Sequence, residues 1–297
     1  MSSFFGKIRD FFDSIDEFIM KKQLPVAEYT KIVIDKMKSG LSFIFDPLKT
    51  SFDKLMEWTY IGLDFIPATV LIVLIVLLAF FVTGRKFGLA AFTFLGLLFI
   101  HNQGYWDELI NTFSLVIIAS MLSVIIGVPI GILMAKSKIA EVIITPILDF
   151  MQTMPAFVYL IPAVAFFGIG MVPGVFASLI FATPPTVRFT NLGIRQVSNE
   201  LVEAADAFGC TGPQKLFKVE LPMAKSTIMA GINQTVMLAL SMVVIASMIG
   251  ARGLGREVLS SLQRADAGVG FVAGISIVIL AIIMDRFTQN LNKQKAN

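Results

Sequence analysis

Residues 109–135, LINTFSLVIIASMLSVIIGVPIGILMA, carry no charge between Glu108 and Lys136. A hydrocarbon core about 30 Å thick is crossed by roughly 20 helical residues, so this run spans a bilayer with length to spare. The same test works outward. Residues 65–84, between Asp64 and Arg85, are free of Asp, Glu, Lys and Arg, as are 87–106, between Lys86 and Asp107. So are 226–251, between Lys225 and Arg252, and 267–284, between Asp266 and Asp285. The stretch 150–187, between Asp149 and Arg188, is too long for one crossing. It is punctuated at Gly168-Ile169-Gly170-Met171-Val172-Pro173-Gly174, where glycine and proline interrupt a helix. It reads as two spans, the first beginning nearer Ile143. The expectation is an all-α, polytopic transmembrane helix bundle of about seven spans, within a range of six to eight. Six follow if 87–106 lies only at the interface.

Composition agrees. Hydrophobic residues make up 56% and charged residues 15%, with a mean hydropathy of +0.80; soluble domains carry about 25% charged residues. A net charge of +3 is too small to point to nucleic acid. Cys210 is the one cysteine and His101 the one histidine. That excludes an internal disulfide framework, a Cys- or His-rich metal site, and any catalytic site needing two imidazoles.

Lysine and arginine placement sets the expected orientation. With the loop near residue 205 in the cytoplasm, the inner set is Arg85, Lys86, Lys136, Lys138, Arg188, Arg195, Lys215, Lys218, Lys225, Arg286, Lys293 and Lys295. The outer set is Arg252, Arg256 and Arg264. Twelve against three puts the C-terminus inside, and seven spans put the N-terminus outside.

The first 61 residues read as an amphipathic, interfacial N-terminal tail. Phe4, Phe5, Ile8, Phe11, Phe12, Ile15, Phe18 and Ile19 follow a helical repeat, with Lys7, Arg9, Asp10, Asp13, Asp16 and Glu17 between them. A second pattern runs through Val26, Tyr29, Ile32, Val33 and Met37. Such helices lie in the membrane interface, as a scaffold on the bundle or as a sensor of the lipid. Residues 62–290 form the transmembrane domain and 291–297 a short cytoplasmic tail.

The cytoplasmic loop, about 191–225, carries the most specific signal. In Asn199-Glu200-Leu201-Val202-Glu203-Ala204-Ala205-Asp206-Ala207-Phe208-Gly209, the residues Leu201, Ala204, Ala205 and Phe208 share one helical face. Asn199 suits the N-cap and Gly209 a left-handed end. Gly212-Pro213 starts a second short helix, which Pro222 closes. A rigid helix-turn-helix between two spans can carry a push into the membrane; an ordinary loop has the same local pattern.

The spacing Glu203-Ala204-Ala205, Gly209, Val219, Leu221-Pro222 resembles the E-A-A loop of permease subunits of ABC importers, with Val219 where isoleucine is usual. Asp149–Leu160, Phe167–Gly170, Pro184–Arg188, Asn233–Met242 and Gly250–Gly255 are similar to the glycine betaine/proline permeases. The resemblance covers about residues 60–290. It implies the type I ABC importer permease fold, an inner- or plasma-membrane location in a bacterium, and a coupling helix seated in a groove of an ATPase. It also implies two copies forming the pathway, two ATPase subunits, a separate external binding protein, and contact with membrane lipid but no nucleic acid. ATP binding then opens the pathway outward and hydrolysis resets it. Betaine, proline betaine, choline and carnitine permeases share much of this pattern.

The chain has no Gly-x-x-x-x-Gly-Lys-Ser/Thr run, so ATP and magnesium are expected on the separate ATPase and no catalytic or metal-ligating residue is expected here. Asp64, Asp149 and Asp285 fall at span ends, where hydration is cheap. Span six puts Gln234 and Ser241 on one face with Thr227, Gly231, Leu238, Ile245 and Met248, as pathway residues or as interhelical hydrogen-bonding groups. Ser120, Ser123, Gly127 and Gly131 form a small-residue packing stripe. Gln152, Thr153, Pro155 and Tyr159 mark a second pathway candidate, because Pro155 breaks the helix there. The rivals are an ABC permease for choline, carnitine or an amino acid, and a stand-alone secondary transporter. The latter needs an internal repeat or an intramembrane charge pair, and neither is visible.

Overall fold

A computed structural model describes residue 13 and residues 25–85 and 87–293. The amphipathic segment Phe4–Ile19 therefore lies outside the described residues except for Asp13, and so do residues 294–297. Among the described residues every regular element is a helix. The chain divides into two units, 1–45 and 46–297. In the first, α1 (Val26–Gly40) buries none of its side chains. Its apolar residues Val26, Tyr29, Ile32, Val33 and Met37 are all exposed. The helix α2 (Ser42–Asp64) starts at the end of this unit.

In the second unit, α2 presents Phe52, Met56, Tyr60 and Leu63 at steps of four, four and three, one helical stripe. Phe52 and Met56 are buried, and Met56, Tyr60 and Leu63 join the main core. Residues 46–61, read from the sequence as part of the tail, thus belong with the bundle. The charged residues Asp46, Lys49, Asp53, Lys54 and Glu57 of the same helix are exposed. After α2 come α3 (Ala68–Val82), α4 (Phe87–Asn102) and α5 (Trp106–Lys136). Then follow α6 (Lys138–Thr153), a 3₁₀ turn at Ala156–Tyr159, α7 (Leu160–Phe167) and α8 (Met171–Arg195). The last elements are α9 (Asn199–Ala207), α10 (Gly212–Lys215), a π turn at Leu216–Glu220, α11 (Leu221–Ser247), α12 (Leu254–Arg264) and α13 (Ala267–Lys293).

The bundle is built around α8, which packs along both α5 and α11. Small side chains let these helices close up. Ser120, Ser123, Gly127 and Gly131 of α5 are all buried, as the stripe predicts. A Cβ on Gly131 would sit 2.5 Å from Thr190 Cβ and 2.7 Å from the Val187 carbonyl, so no larger residue fits that crossing. Hydroxyls fasten the contact. Ser123 Oγ donates to the Leu179 carbonyl at 3.1 Å, and Thr235 Oγ1 donates to the Ala182 carbonyl at 2.9 Å. Further along, Asn233 Nδ2 donates to Asp285 at 2.8 Å, fixing α11 to α13. Asp285, read as a hydrated span end, is half-buried and also receives Gln289 Nε2 at 2.8 Å.

Among the described residues three helices are long and apolar enough to cross a membrane: Trp106–Lys136, Gly212–Ser247 and Ala267–Asn290. The number rises to five if each bent pair is one span, and Phe87–Asn102 is a shorter apolar helix. The two bends are where the sequence-based spans change shape. The span read at 65–84 holds one helix, α3, of 15 residues, and the preceding α2 meets it at 95°, with Pro67 in the break. The fourth expected span is split at Pro155 into segments at 109°. Met154, just before that proline, is extended, with φ −69° and ψ 134°. Proline Cδ disfavours a helical conformation in the residue before it.

Candidate coupling segment and translocation surface

The coupling segment begins at Ser198, not Asn199 as expected. Ser198 is extended and its side chain accepts from the Leu201 N–H at 3.4 Å, so the helix starts one residue earlier than the motif suggested. On α9 only Ala205 is buried. Ala204 and Leu201 are uncovered, and Phe208 is 90% exposed. The expected apolar face therefore exists, but most of it points away from the protein. Glu203 lies exposed beside it and forms no ion pair among the described residues.

Gly209 ends α9 with φ +74°. Its N–H donates to the Asp206 carbonyl at 2.9 Å and the Cys210 N–H to the Ala205 carbonyl at 3.0 Å, a Schellman end. Next, the Thr211 N–H donates to Gln214 Oε1 at 2.9 Å, with Pro213 in the first turn of α10. Lys215 Nζ reaches both oxygens of Asp206 at 2.8 Å, clamping α10 to α9. That hydrogen bond to Asp206 holds the Lys215 ammonium above the usual lysine range.

The second helix does not stop at Pro222. It continues from Gly212 to Ser247 as one stretch, through the π turn at Leu216–Glu220. The Leu221 N–H bonds to the Leu216 carbonyl, five residues back. Pro222, with no N–H to give, sits where the ladder returns to four-residue spacing. Val219 and Leu221 are half-buried and Pro222 is exposed.

Glu220, between motif positions, was missed from sequence. It is 4% exposed and ion-paired with Lys136 at the end of α5. The cue was a lone acid inside an otherwise apolar and basic stretch, but its partner lies 84 residues away. Arg195, at the end of α8, completes the junction. It donates to the Met134 carbonyl at 2.9 Å and pairs with Glu141 of α6 at 3.0 Å. The π turn that follows α10 is thus ion-paired to the end of α5, and the end of α8, which leads into α9, is ion-paired to α6. A cavity of about 370 Å³ lies in this junction, lined in part by Met134, Glu141, Arg188 and Arg195. Arg188 pairs with Asp149 at its edge.

The candidate pathway residues divide into two groups. On α11, Gln234 and Ser241 are exposed along with Met248, seven residues apart each, while Thr235, Ala239 and Met242 on the other side are buried. Ser241 Oγ donates to the Met237 carbonyl of its own helix at 3.0 Å. Among the described residues neither Gln234 nor Ser241 bonds to another helix. The interhelical hydrogen bonds of α11 come from Asn233 and Thr235 instead. Near the bend, Gln152, Thr153 and Pro155 are exposed, but Tyr159 is buried. The Tyr159 hydroxyl donates to the Met151 carbonyl across the bend, and its ring meets Phe181 edge-on at 5.8 Å. Tyr159 braces the break rather than facing open space. It shares a core cluster with Met242, so the bend packs against the buried side of α11.

Residues 127–297 match the family described as binding-protein-dependent transport system inner membrane component. The chain is 58% identical over 276 residues to the glycine betaine/carnitine transport permease protein GbuB of Listeria monocytogenes, covering 91% of this chain and 96% of that one. It is 49% identical to the glycine betaine transport system permease protein OpuAB of Bacillus subtilis, covering 92% and 96%. It is 45% identical to the glycine betaine/proline betaine permease ProW of Escherichia coli, covering 95% and 79%. The fold matches an inward-facing structure of the MetNI methionine ABC transporter with a TM-score of 0.59 at 20% identity, over 64% of this chain and 95% of that one. With its apolar helices, its type I importer fold and these relatives, the chain is a multi-pass membrane protein and belongs to the binding-protein-dependent transport system inner membrane component family, whose members are transport permeases rather than enzymes.

Proposed function

We propose that this chain is the permease subunit of an ATP-driven importer of glycine betaine and related quaternary ammonium osmoprotectants. The observation that carries the coupling role is the exposed Phe208 and Glu203 beside a rigid turn, joined to the bundle through Glu220 and Lys136. An ATPase subunit grips that helix from the cytoplasm and holds the ATP and magnesium. Its motion reaches α5 through the Glu220–Lys136 pair, and α6 and α8 through Arg195. Two copies of the chain form the pathway, with the Gln234–Ser241–Met248 face of one turned toward the other and Gln152, Thr153 and Pro155 at its edge. An external binding protein delivers the osmolyte. The C-terminus is cytoplasmic and the N-terminus external.

The substrate class rests on the similarity to three glycine betaine permeases together with the Asp149–Leu160 and Asn233–Met242 segments. Carnitine is a second substrate to test, because one of those relatives is a glycine betaine/carnitine permease. The experiment is uptake by vesicles holding the chain with its ATPase and binding protein, with betaine, proline, choline and carnitine as competitors. Betaine should compete most strongly. Uptake indifferent to excess betaine refutes the substrate class, and accumulation by the chain alone on an ion gradient refutes the ABC mechanism.

A further inference from the structure

At the end of the bundle away from the coupling segment lies a second cavity, of about 320 Å³. The two ends are separated by the length of α5, 31 residues or about 46 Å at 1.5 Å per residue. Its lining includes Tyr60 of α2, Asp107 and Glu108 of α5, and Arg252, Arg256 and Glu257 of the α11–α12 connection and α12. Five formal charges of both signs therefore converge on one concavity. None of the five forms an ion pair among the described residues, and none of their charged ends makes a side-chain hydrogen bond. The contrast with the junction cavity is direct. There, Arg195 pairs with Glu141 and Arg188 with Asp149. Here, opposite charges face the same space and leave it between them.

The frame behind these charges is fixed. The Arg252 N–H donates to Met171 Sδ at 3.0 Å, the Gly170 N–H to the Ile249 carbonyl at 2.9 Å, and the Leu254 N–H to Thr112 Oγ1 at 2.8 Å. Gly253, at φ +127°, lies so close to α5 that a Cβ would sit 2.5 Å from Thr112 Oγ1. The Arg252 backbone is held on three sides, and its guanidinium moves only by its own rotamers. Among the described residues no three acidic, His or Cys side chains are grouped to ligate a metal, so the three carboxylates do not form a chelate. A volume near 320 Å³ is at the lower end of small-molecule pockets, which run from about 300 Å³ upward.

We infer that this cavity binds a small zwitterion that carries an ammonium group and a carboxylate a few atoms apart. The cationic head lies against the Tyr60 ring, by cation–π attraction, with Asp107, Glu108 and Glu257 around it. The carboxylate takes Arg252 and Arg256, whose guanidinium forks match it. Water-exposed charges make the site weak and fast to release, as suits a waiting place beside the membrane pathway. The inference rests on the betaine-class function proposed above and adds a site to it.

The test uses the permease–ATPase complex in lipid nanodiscs without the binding protein, with radiolabelled glycine betaine as the probe. Saturable binding is expected. It should weaken about tenfold in Arg252→Gln/Arg256→Gln, because both cationic partners of the carboxylate are removed at once. Tyr60→Leu should weaken it too, while Tyr60→Phe, which keeps the ring, should bind as wild type. Tetramethylammonium and acetate, each half of the ligand, should compete far less well than betaine. Copurification of the ATPase with each variant verifies folding. Binding that is undetectable, or equal in wild type and the double arginine variant, overturns the site. So does normal osmolyte binding by variants that lose only their response to the binding protein, which makes the face a protein-docking surface. The parent function fails separately, if the complete wild-type system does not import betaine whatever this cavity binds.

Discussion

Gly209→Val isolates the backbone of the coupling turn from everything else. At φ +74° an L-residue places Cβ against its own carbonyl, at about 1–2 kcal/mol. Steric neighbours add nothing, because a Cβ at Gly209 meets no heavy atom within 4 Å. The cost is therefore purely conformational and falls on the turn that joins α9 to α10. One to two kcal/mol corresponds to about a 5- to 30-fold loss in the population of the native turn. Gly209→Ala should show most of that loss. Gly209→Asn should show less, since asparagine tolerates the left-handed region. The order wild type, asparagine, alanine, valine should appear in ATPase copurification, in ATP turnover stimulated by the binding protein, and in betaine uptake. Thermal unfolding of the membrane bundle should not change, because Gly209 is exposed and outside the core. If the valine variant retains full ATPase docking and wild-type uptake, the turn does not position a coupling helix and the segment is an ordinary loop. Glu203→Lys, reversing the exposed charge beside Phe208, should weaken docking without touching the turn.

Removing the buried Glu220 carboxylate by Glu220→Ala leaves Lys136 without its partner. Lys136 is 40% exposed and water recovers part of the loss, so about 1–3 kcal/mol is expected; a double-mutant cycle with Lys136→Ala that yields no coupling energy refutes the link. Tyr159→Phe strips the donor from the Met151 carbonyl at the bend and should cost about 1 kcal/mol of stability, read as a lowered thermal midpoint of the detergent-solubilised complex; an unchanged midpoint removes the bracing role. With Cys210 replaced, cysteines at Gln234 and Ser241 should react with polar thiol reagents at rates that change with nucleotide state, whereas one at buried Leu240 should not. Failure of both to react in every state returns them to a packing role.

Much of the architecture is local and therefore legible in the chain alone. Charge-free runs of span length identify a membrane protein because the cost of burying charge in hydrocarbon acts on each segment by itself. The Gly209 turn, the Pro213 start and the break at Pro155 are equally local, since each follows from the φ limits of one residue. The capping at Ser198 was misplaced by one residue because serine and asparagine cap about equally well. Pro222 was misread as a stop, because the π turn that accommodates it has no sequence rule of comparable strength.

Tertiary structure decided what lies between distant residues. Glu220 finds Lys136 across 84 residues, and Asn233 finds Asp285 across 52; neither pairing follows from spacing along the chain. Tyr159 looked like a pathway aromatic, yet folding turns its hydroxyl back onto Met151 and its ring onto Phe181. In the sequence Asp107 and Glu108 only bound apolar runs and Arg252 and Arg256 only count as outer charges; α5 and α12 set them, with Glu257, around one cavity. A sequence records the preferences of each segment for helix, turn and solvent, whereas contacts between segments depend on how the apolar faces of all the helices are buried together, and that is settled only when the whole bundle packs.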